Sequence, residues 1–195
     1  MNDANRAFSR GDLDLAALTV LALLTVGPRH PYDIHRFVVE TRKDFVTGAP
    51  RSIYHAVSRL ERAHLIEPIG SGQAGGRPER TVYALTDAGR AEVRHRVSAL
   101  LAQPQADRTT TVAALSFLGV LGKEEALVAI RARTAALEAQ IATASAELAE
   151  AADVPEILLI EAEFDRAQLA SERDWFSAMA ARLDGGELAW IPERQ

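Results

Sequence analysis

Apolar and polar positions change rhythm several times along the chain, and each change marks an element. The run Leu15 to Val26 is apolar on every side. A helix of that kind is buried all round. It is too short to span a bilayer. Asp12 and Asp14 stand at its head and no small-residue cleavage site follows, which sets it apart from a signal peptide. The pattern predicts a buried first helix with Asp12 as its N-cap, closed by Gly27-Pro28, and residues 1–11 as a disordered lead. His30-Pro31-Tyr32-Asp33 opens a second helix, with Pro31 near its first position and Ile34, Phe37 and Val38 inward. Thr47-Gly48-Ala49 is a turn. After it Ile53, Val57, Leu60 and His64 fall at i, i+4, i+7 and i+11, with Ala56 and Ala63 beside them, so a third helix has one apolar stripe. Pro50 suits its first position, where a missing N–H costs nothing.

Two strand-like runs follow, Leu65-Ile66 and Val82-Tyr83-Ala84-Leu85. Between them lies a glycine-rich stretch that holds Gly75, Gly76, Arg77 and Arg80 and can bury little. Thr86 then caps a fourth helix from Asp87 towards Leu101, with Val93, Val97 and Leu100 on one side. Gln103 to Asp107 reads as a linker, and Val112 to Leu121 as a short apolar helix containing Phe117. Farther on, Leu127, Ile130, Thr134, Leu137, Ile141, Ala144 and Leu148 alternate steps of three and four, which is an a/d seam. Ala151 to Glu156 breaks that helix, and Asp153 and Glu156 stand at capping-box spacing. The last helix carries two apolar stripes. One is Ile157, Ile160, Phe164, Ala167, Ser171 and Trp175; the other is Leu158, Ala162, Leu169, Phe176 and Leu183. Two stripes need two neighbours: the seam helix of the same chain and, we expect, a partner subunit. A closed monomeric bundle is the alternative.

Charge sharpens this division. The net charge is −5, but residues 1–100 carry 14 Lys and Arg against 11 Asp and Glu, and residues 101–195 carry 8 against 16. The first half is therefore net basic at +3 and holds all five His, and the second is acidic at −8. The polar face of the third helix fits the basic half. It presents Arg51, Ser52, His55, Ser58, Arg59 and Arg62, with Glu61 as its one acid and Tyr54 on the border. Arg can grip a guanine edge with two hydrogen bonds, short hydroxyls can approach either strand, and cations meet phosphates. Arg51, Ser52, His55 and Arg59 are expected to read bases. Tyr54, Arg62, Arg77 and Arg80 are expected to hold phosphates or the minor groove. An ordinary amphipathic helix followed by a loose hairpin is the plainer alternative.

Enzyme chemistry finds little to work with. The chain has no Cys, so disulfides and thiolate metal sites are excluded. No two His stand four apart around a Glu, as a helical zinc site requires. The glycine-rich stretch lacks a Gly-Lys-Ser/Thr ending and precedes a strand, and no Ser sits in a Gly-x-Ser-x-Gly elbow. The acids Glu124-Glu125, Glu161/Glu163/Asp165 and Glu172/Asp174 read as solvated helix faces. No catalytic residue, metal ligand or cofactor is expected.

Three stretches resemble the PadR family of bacterial transcriptional regulators. They are Leu23-Leu24-Thr25-Val26-Gly27-Pro28-Arg29-His30-Pro31-Tyr32-Asp33-Ile34, the run from Ile53 to Ile66, and the run from Gly75 to Gly89. The resemblance covers about residues 13–100. The family usually has Gly where Pro31 stands, Gly where Arg51-Ser52 stand, and Arg/Lys-Tyr-Tyr where Thr81-Val82-Tyr83 stand. These departures bear on base preference more than on fold. The resemblance implies a homodimer on a pseudo-palindromic operator in double-stranded DNA, usually acting as a repressor released by a small molecule; the expected location is the cytoplasm, with which the absence of Cys agrees.

The expected fold is mainly α (α+β): a winged helix-turn-helix over 12–102 and a C-terminal α-helical dimerisation domain over 109–185. Leu127, Ile130, Leu137, Ile141, Leu148, Leu158, Leu169, Phe176 and Leu183 are the expected dimerisation residues. Phe117, Phe164 and Trp175 read as core, or as walls of a pocket for a small planar effector. The competing function is a protein-interaction adaptor that docks through the winged helix and does not touch DNA.

Overall fold

The computed structural model describes residues 14–72 and 80–190. Two compact units are present, residues 1–97 with 107–120 and residues 98–106 with 121–195.

In the first unit, α1 (Leu15–Leu24) is buried from Ala17 to Leu24. Asp14, not Asp12, is its cap: its carboxylate accepts from the Ala17 amide at 3.0 Å. Asp12 and residues 1–11 lie outside the described residues. Helix α2 (Pro31–Glu40) starts at Pro31, and the His30 imidazole accepts from the Tyr32 amide at 3.0 Å. Ile34 and Val38 are buried and Phe37 is half-buried. Gly48, at φ +69°, makes the turn into α3 (Arg51–Arg62). Pro50 stands just before that helix rather than in it. The α3 stripe Ile53, Ala56, Val57 and Leu60 is buried, together with Leu18, Leu21 and Ile34 of the first two helices.

Ala63 and His64 depart from the expected stripe. Helix α3 stops at Arg62, and both residues are exposed. His64 adopts φ +56°. Its amide donates to the Glu61 carbonyl at 2.9 Å and the Leu65 amide to the Leu60 carbonyl at 3.0 Å. This paired pattern closes a helix through a left-handed residue, a position that favours Gly. His64→Gly is therefore expected to raise stability by about 0.5–1 kcal/mol, once the left-handed penalty is set against the freer unfolded chain. A higher urea midpoint checks it, and a lower one counts against the strain.

Strand β1 (Ile66–Gly72) pairs antiparallel with β2 (Arg80–Leu85), with Ile66 opposite Leu85 and a register shift between Pro68 and Gly70. β1 is longer than its sequence suggests. Strand pairing gives the backbone groups of Gly70 and Gly72 partners in β2, which outweighs their poor propensity. Arg29 adds a short bridge, with two 3.0 Å bonds exchanged with Tyr83. Helix α4 (Asp87–Ala102) begins as expected, the Thr86 hydroxyl accepting from the Gly89 amide at 3.0 Å. The same hydroxyl donates to the His64 carbonyl at 2.8 Å, so the start of α4 is tied to the end of α3. Helix α5 (Arg108–Ser116) starts earlier than Val112 because Asp107 caps it, accepting from the Thr109 amide at 2.8 Å. Hydrogen bonds from Thr109 hold the Asp107 carboxyl below its ordinary value.

The second unit is built on α6 (Lys123–Glu150) and α7 (Ile160–Asp184). The near half of the seam is buried at Leu127, Ile130 and Leu137; Ile141, Ala144 and Leu148 are half-buried. The expected Asp153/Glu156 box does not form. Pro155 is extended, residues 156–158 make a 3-10 turn, and α7 starts after Leu159 with no side-chain cap. Among the described residues, no helix is long and apolar enough to cross a membrane.

Candidate nucleic-acid interface

Burial of Ile53, Ala56, Val57 and Leu60 fixes the rotation of α3, and so decides what the opposite face presents. Arg51, Tyr54, His55, Ser58, Arg59 and Arg62 are all exposed and recur at helical spacing, forming one row. Ser52 does not join it. Its Oγ is buried without a hydrogen-bond partner, because the residue lies one step from Ile53 and turns towards the core side. Ser52 is thus removed from the base-reading set.

Two members of the row are restrained. The Arg62 Nε donates to the Ser58 carbonyl at 3.1 Å, which holds the side chain along its own helix. The Arg59 Nη2 donates to the Asp14 carboxylate. Sequence reasoning missed that pairing, since 45 residues separate the partners. Glu61, the acid among the α3 cations, accepts from the Tyr83 hydroxyl of β2 at 3.3 Å. Burial first, then the Glu61 charge, push the Tyr83 hydroxyl above its ordinary pKa. The base of the hairpin is thereby tied to α3.

Arg80 ends the hairpin as the first residue of β2. Gly75, Gly76 and Arg77 lie outside the described residues, as does the placement of the Arg80 side chain. The turn between α2 and α3 is held by Lys43, whose ammonium lies 5.8, 5.7 and 5.2 Å from the rings of Phe37, Phe45 and Phe117. That range permits cation–π attraction, while burial pushes the Lys43 pKa down. Phe117 meets Phe45 edge-on at 5.8 Å and is buried, so it acts as core of the first unit. In the second unit Phe164 and Trp175 are exposed, and Trp175 meets Phe176 edge-on at 5.0 Å.

Placement also divides the nine expected dimerisation residues. Leu127, Ile130, Leu137, Phe176 and Leu183 are buried within the single chain, and Ile141, Leu148 and Leu169 are half-buried; Leu158 is exposed. The other expected stripe stays open to solvent: Ile157, which falls in the 3-10 turn rather than in α7, and Ile160, Phe164, Ala167, Ser171 and Trp175 of α7 are all exposed. The seam and the Phe176 stripe lie where α6 meets α7, and the second stripe faces solvent in the single chain.

Residues 20–95 match the transcriptional regulator PadR-like family. Among solved structures, PadR of Bacillus subtilis in complex with operator DNA is similar at 18% identity over 86% of this chain and 98% of that one, with a TM-score of 0.40. A PadR-like transcriptional regulator of Bacillus cereus is 18% identical over 88% and 99%, with a TM-score of 0.38. A protein of Streptococcus mutans is 21% identical over 85% and 98%, at 0.39. No curated protein matches the chain.

Proposed function

We propose, from the premise that residues 20–95 are a domain of the PadR-like family of transcriptional regulators, that this chain is a sequence-specific repressor that binds a pseudo-palindromic operator as a homodimer in the cytoplasm. The observation that carries the proposal is the exposed α3 row of Arg51, Tyr54, His55, Ser58, Arg59 and Arg62 over a buried apolar stripe. A helix so arranged enters a major groove with Arg51, His55 and Arg59 towards base edges and Tyr54, Ser58 and Arg62 towards the backbone. The wing, Gly75, Gly76, Arg77 and Arg80, lies against the neighbouring minor groove or phosphates. Domain limits of 12–102 and 109–185, drawn from the sequence, separate reading from dimerisation, although α5 belongs to the first compact unit and the end of α4 to the second. The exposed α7 stripe is the surface on which two copies meet, which doubles the reading head and sets the half-site spacing. Release by a small-molecule effector belongs to the proposal on the family resemblance alone.

Duplex binding tests it. A dimer that neutralises six or more phosphates should lose roughly a thousandfold in affinity between 50 and 200 mM salt. Arg77→Ala should weaken binding to every sequence and flatten the salt slope by about one per head. A protein-interaction adaptor would show neither, and a salt-insensitive or absent affinity for duplex DNA overturns the repressor reading.

A further inference from the structure

Within the α3 row, Arg59 differs from Arg51 and Arg62 among the described residues in having a carboxylate against it. Asp14 serves two partners at once. One oxygen accepts from the Ala17 amide at 3.0 Å and caps α1; the other takes the Arg59 Nη2. The cap fixes the carboxylate to a buried helix, so Asp14 cannot follow Arg59 wherever it swings. Asp14 is mostly covered, its side chain 23% exposed, while that of Arg59 is 48% exposed. The guanidinium therefore stays at the surface with one N–H given to Asp14 and, among the described residues, no other partner for the rest of its fork.

We infer that Asp14 is a specificity-determining residue of the reading head: by pairing with Arg59 it turns a phosphate-seeking cation into a neutral, oriented donor for base edges. The inference rests on the reading that α3 enters a groove. A lone arginine on such a face is drawn to any phosphate, whatever the sequence. A carboxylate offers the same charge-assisted bond that a phosphate would, so the paired Arg59 gains little by moving to the backbone. Its remaining donors still match the two acceptors of a guanine edge, where charge matters less than geometry. The ordering of a long side chain is already met in the free protein. Asp14 thus lowers affinity for arbitrary DNA while leaving affinity for the operator nearly intact.

Asp14→Asn separates this role from capping, because Asn caps a helix about as well as Asp and carries no charge. The probes are a duplex that the wild-type protein selects from a randomised pool and a scrambled duplex of equal length. Asp14→Asn is expected to bind the scrambled duplex about fivefold more tightly with a steeper salt dependence, and to reduce the selected-to-scrambled affinity ratio about fivefold. In an Arg59→Ala background the same substitution should leave that ratio unchanged, since the pair is already gone. A wild-type protein that enriches a sequence, combined with an unchanged ratio in Asp14→Asn, overturns the inference alone. So does a ratio that falls equally with and without Arg59. A wild-type protein that enriches no sequence overturns the DNA reading and takes this inference with it.

Discussion

Arg133→Ala is expected to lower the unfolding free energy by about 3–5 kcal/mol, the range found when one member of a buried ion pair is removed. Arg133 is fully buried in the second unit. Its Nε donates to Glu172 at 2.7 Å and its Nη2 pairs with the same carboxylate at 2.5 Å. Its Nη1 donates to the carbonyls of Leu100, Leu101 and Gln103 at 3.2, 3.2 and 3.0 Å. The guanidinium carbon lies 4.8 Å from the centre of the Phe176 ring. One side chain thus joins α6 to α7 and supplies cationic donors to the last carbonyls of α4, where the helix dipole favours positive charge. Alanine withdraws those donors and opens a void where the guanidinium was. Lysine keeps the charge but not the planar fork, so it cannot serve a carboxylate and three carbonyls from separate nitrogens; Arg133→Lys should recover less than half of the loss. Glu172 is partly hydrated, its side chain 33% exposed, so Glu172→Gln should cost clearly less than Arg133→Ala. Urea unfolding of the three variants gives the ranking. A loss under about 1 kcal/mol for Arg133→Ala would remove this residue from the centre of the unit.

Nothing in the sequence marks Arg133. An arginine on an Ala-rich helix with a seam residue on either side of it, Ile130 and Thr134, reads as a solvated charge, and Glu172 as part of an acid cluster. Periodicity reports which face is apolar; it does not report that a cation has been enclosed by the end of another helix. The same blindness hides the Asp14 and Arg59 pair, because 45 residues separate the two in the chain. What periodicity does carry was legible. The apolar run of α1, the stripe of α3 and the Thr86 cap of α4 each arise from interactions within one turn or one face, and each is present. The errors cluster where distant segments decide. β1 extends through glycines because β2 pairs with them, and α3 ends short of His64 because the chain must turn into the hairpin. The two stripes were visible, but only the fold shows that Leu169, Phe176 and Leu183 are half-buried or buried inside the chain while Leu158 and the Ile160, Phe164 and Trp175 series are not.

Gly89→Ala is the second large effect, and its sign is the informative part. In an open helix the change from Gly to Ala stabilises by about 1 kcal/mol. At residue 89 it should instead destabilise by about 3 kcal/mol, because the site is overpacked by any side chain. A Cβ there would stand 1.9 Å from the Leu65 carbonyl oxygen and 2.9 Å from the Leu85 side chain. The nearer atom is backbone, so no rotamer relieves the clash. That carbonyl also accepts from the Thr86 amide at 3.2 Å, and Thr86 in turn holds Gly89 and His64. To admit a methyl group, the first turn of α4 must move off the junction of α3 and β1. The hairpin and α3 meet at that junction, so on the proposed function the displacement should also misplace the wing and weaken duplex binding at a temperature where the variant is still folded. Ala91→Gly, at an exposed position two residues along the same helix, calibrates propensity alone and should cost about 1 kcal/mol. Thermal melts of both variants settle the sign. If Gly89→Ala melts at or above the wild type, the close approach of α4 to the Leu65 carbonyl is not a constraint on this fold, and the link from α3 through Thr86 to α4 has to be drawn elsewhere.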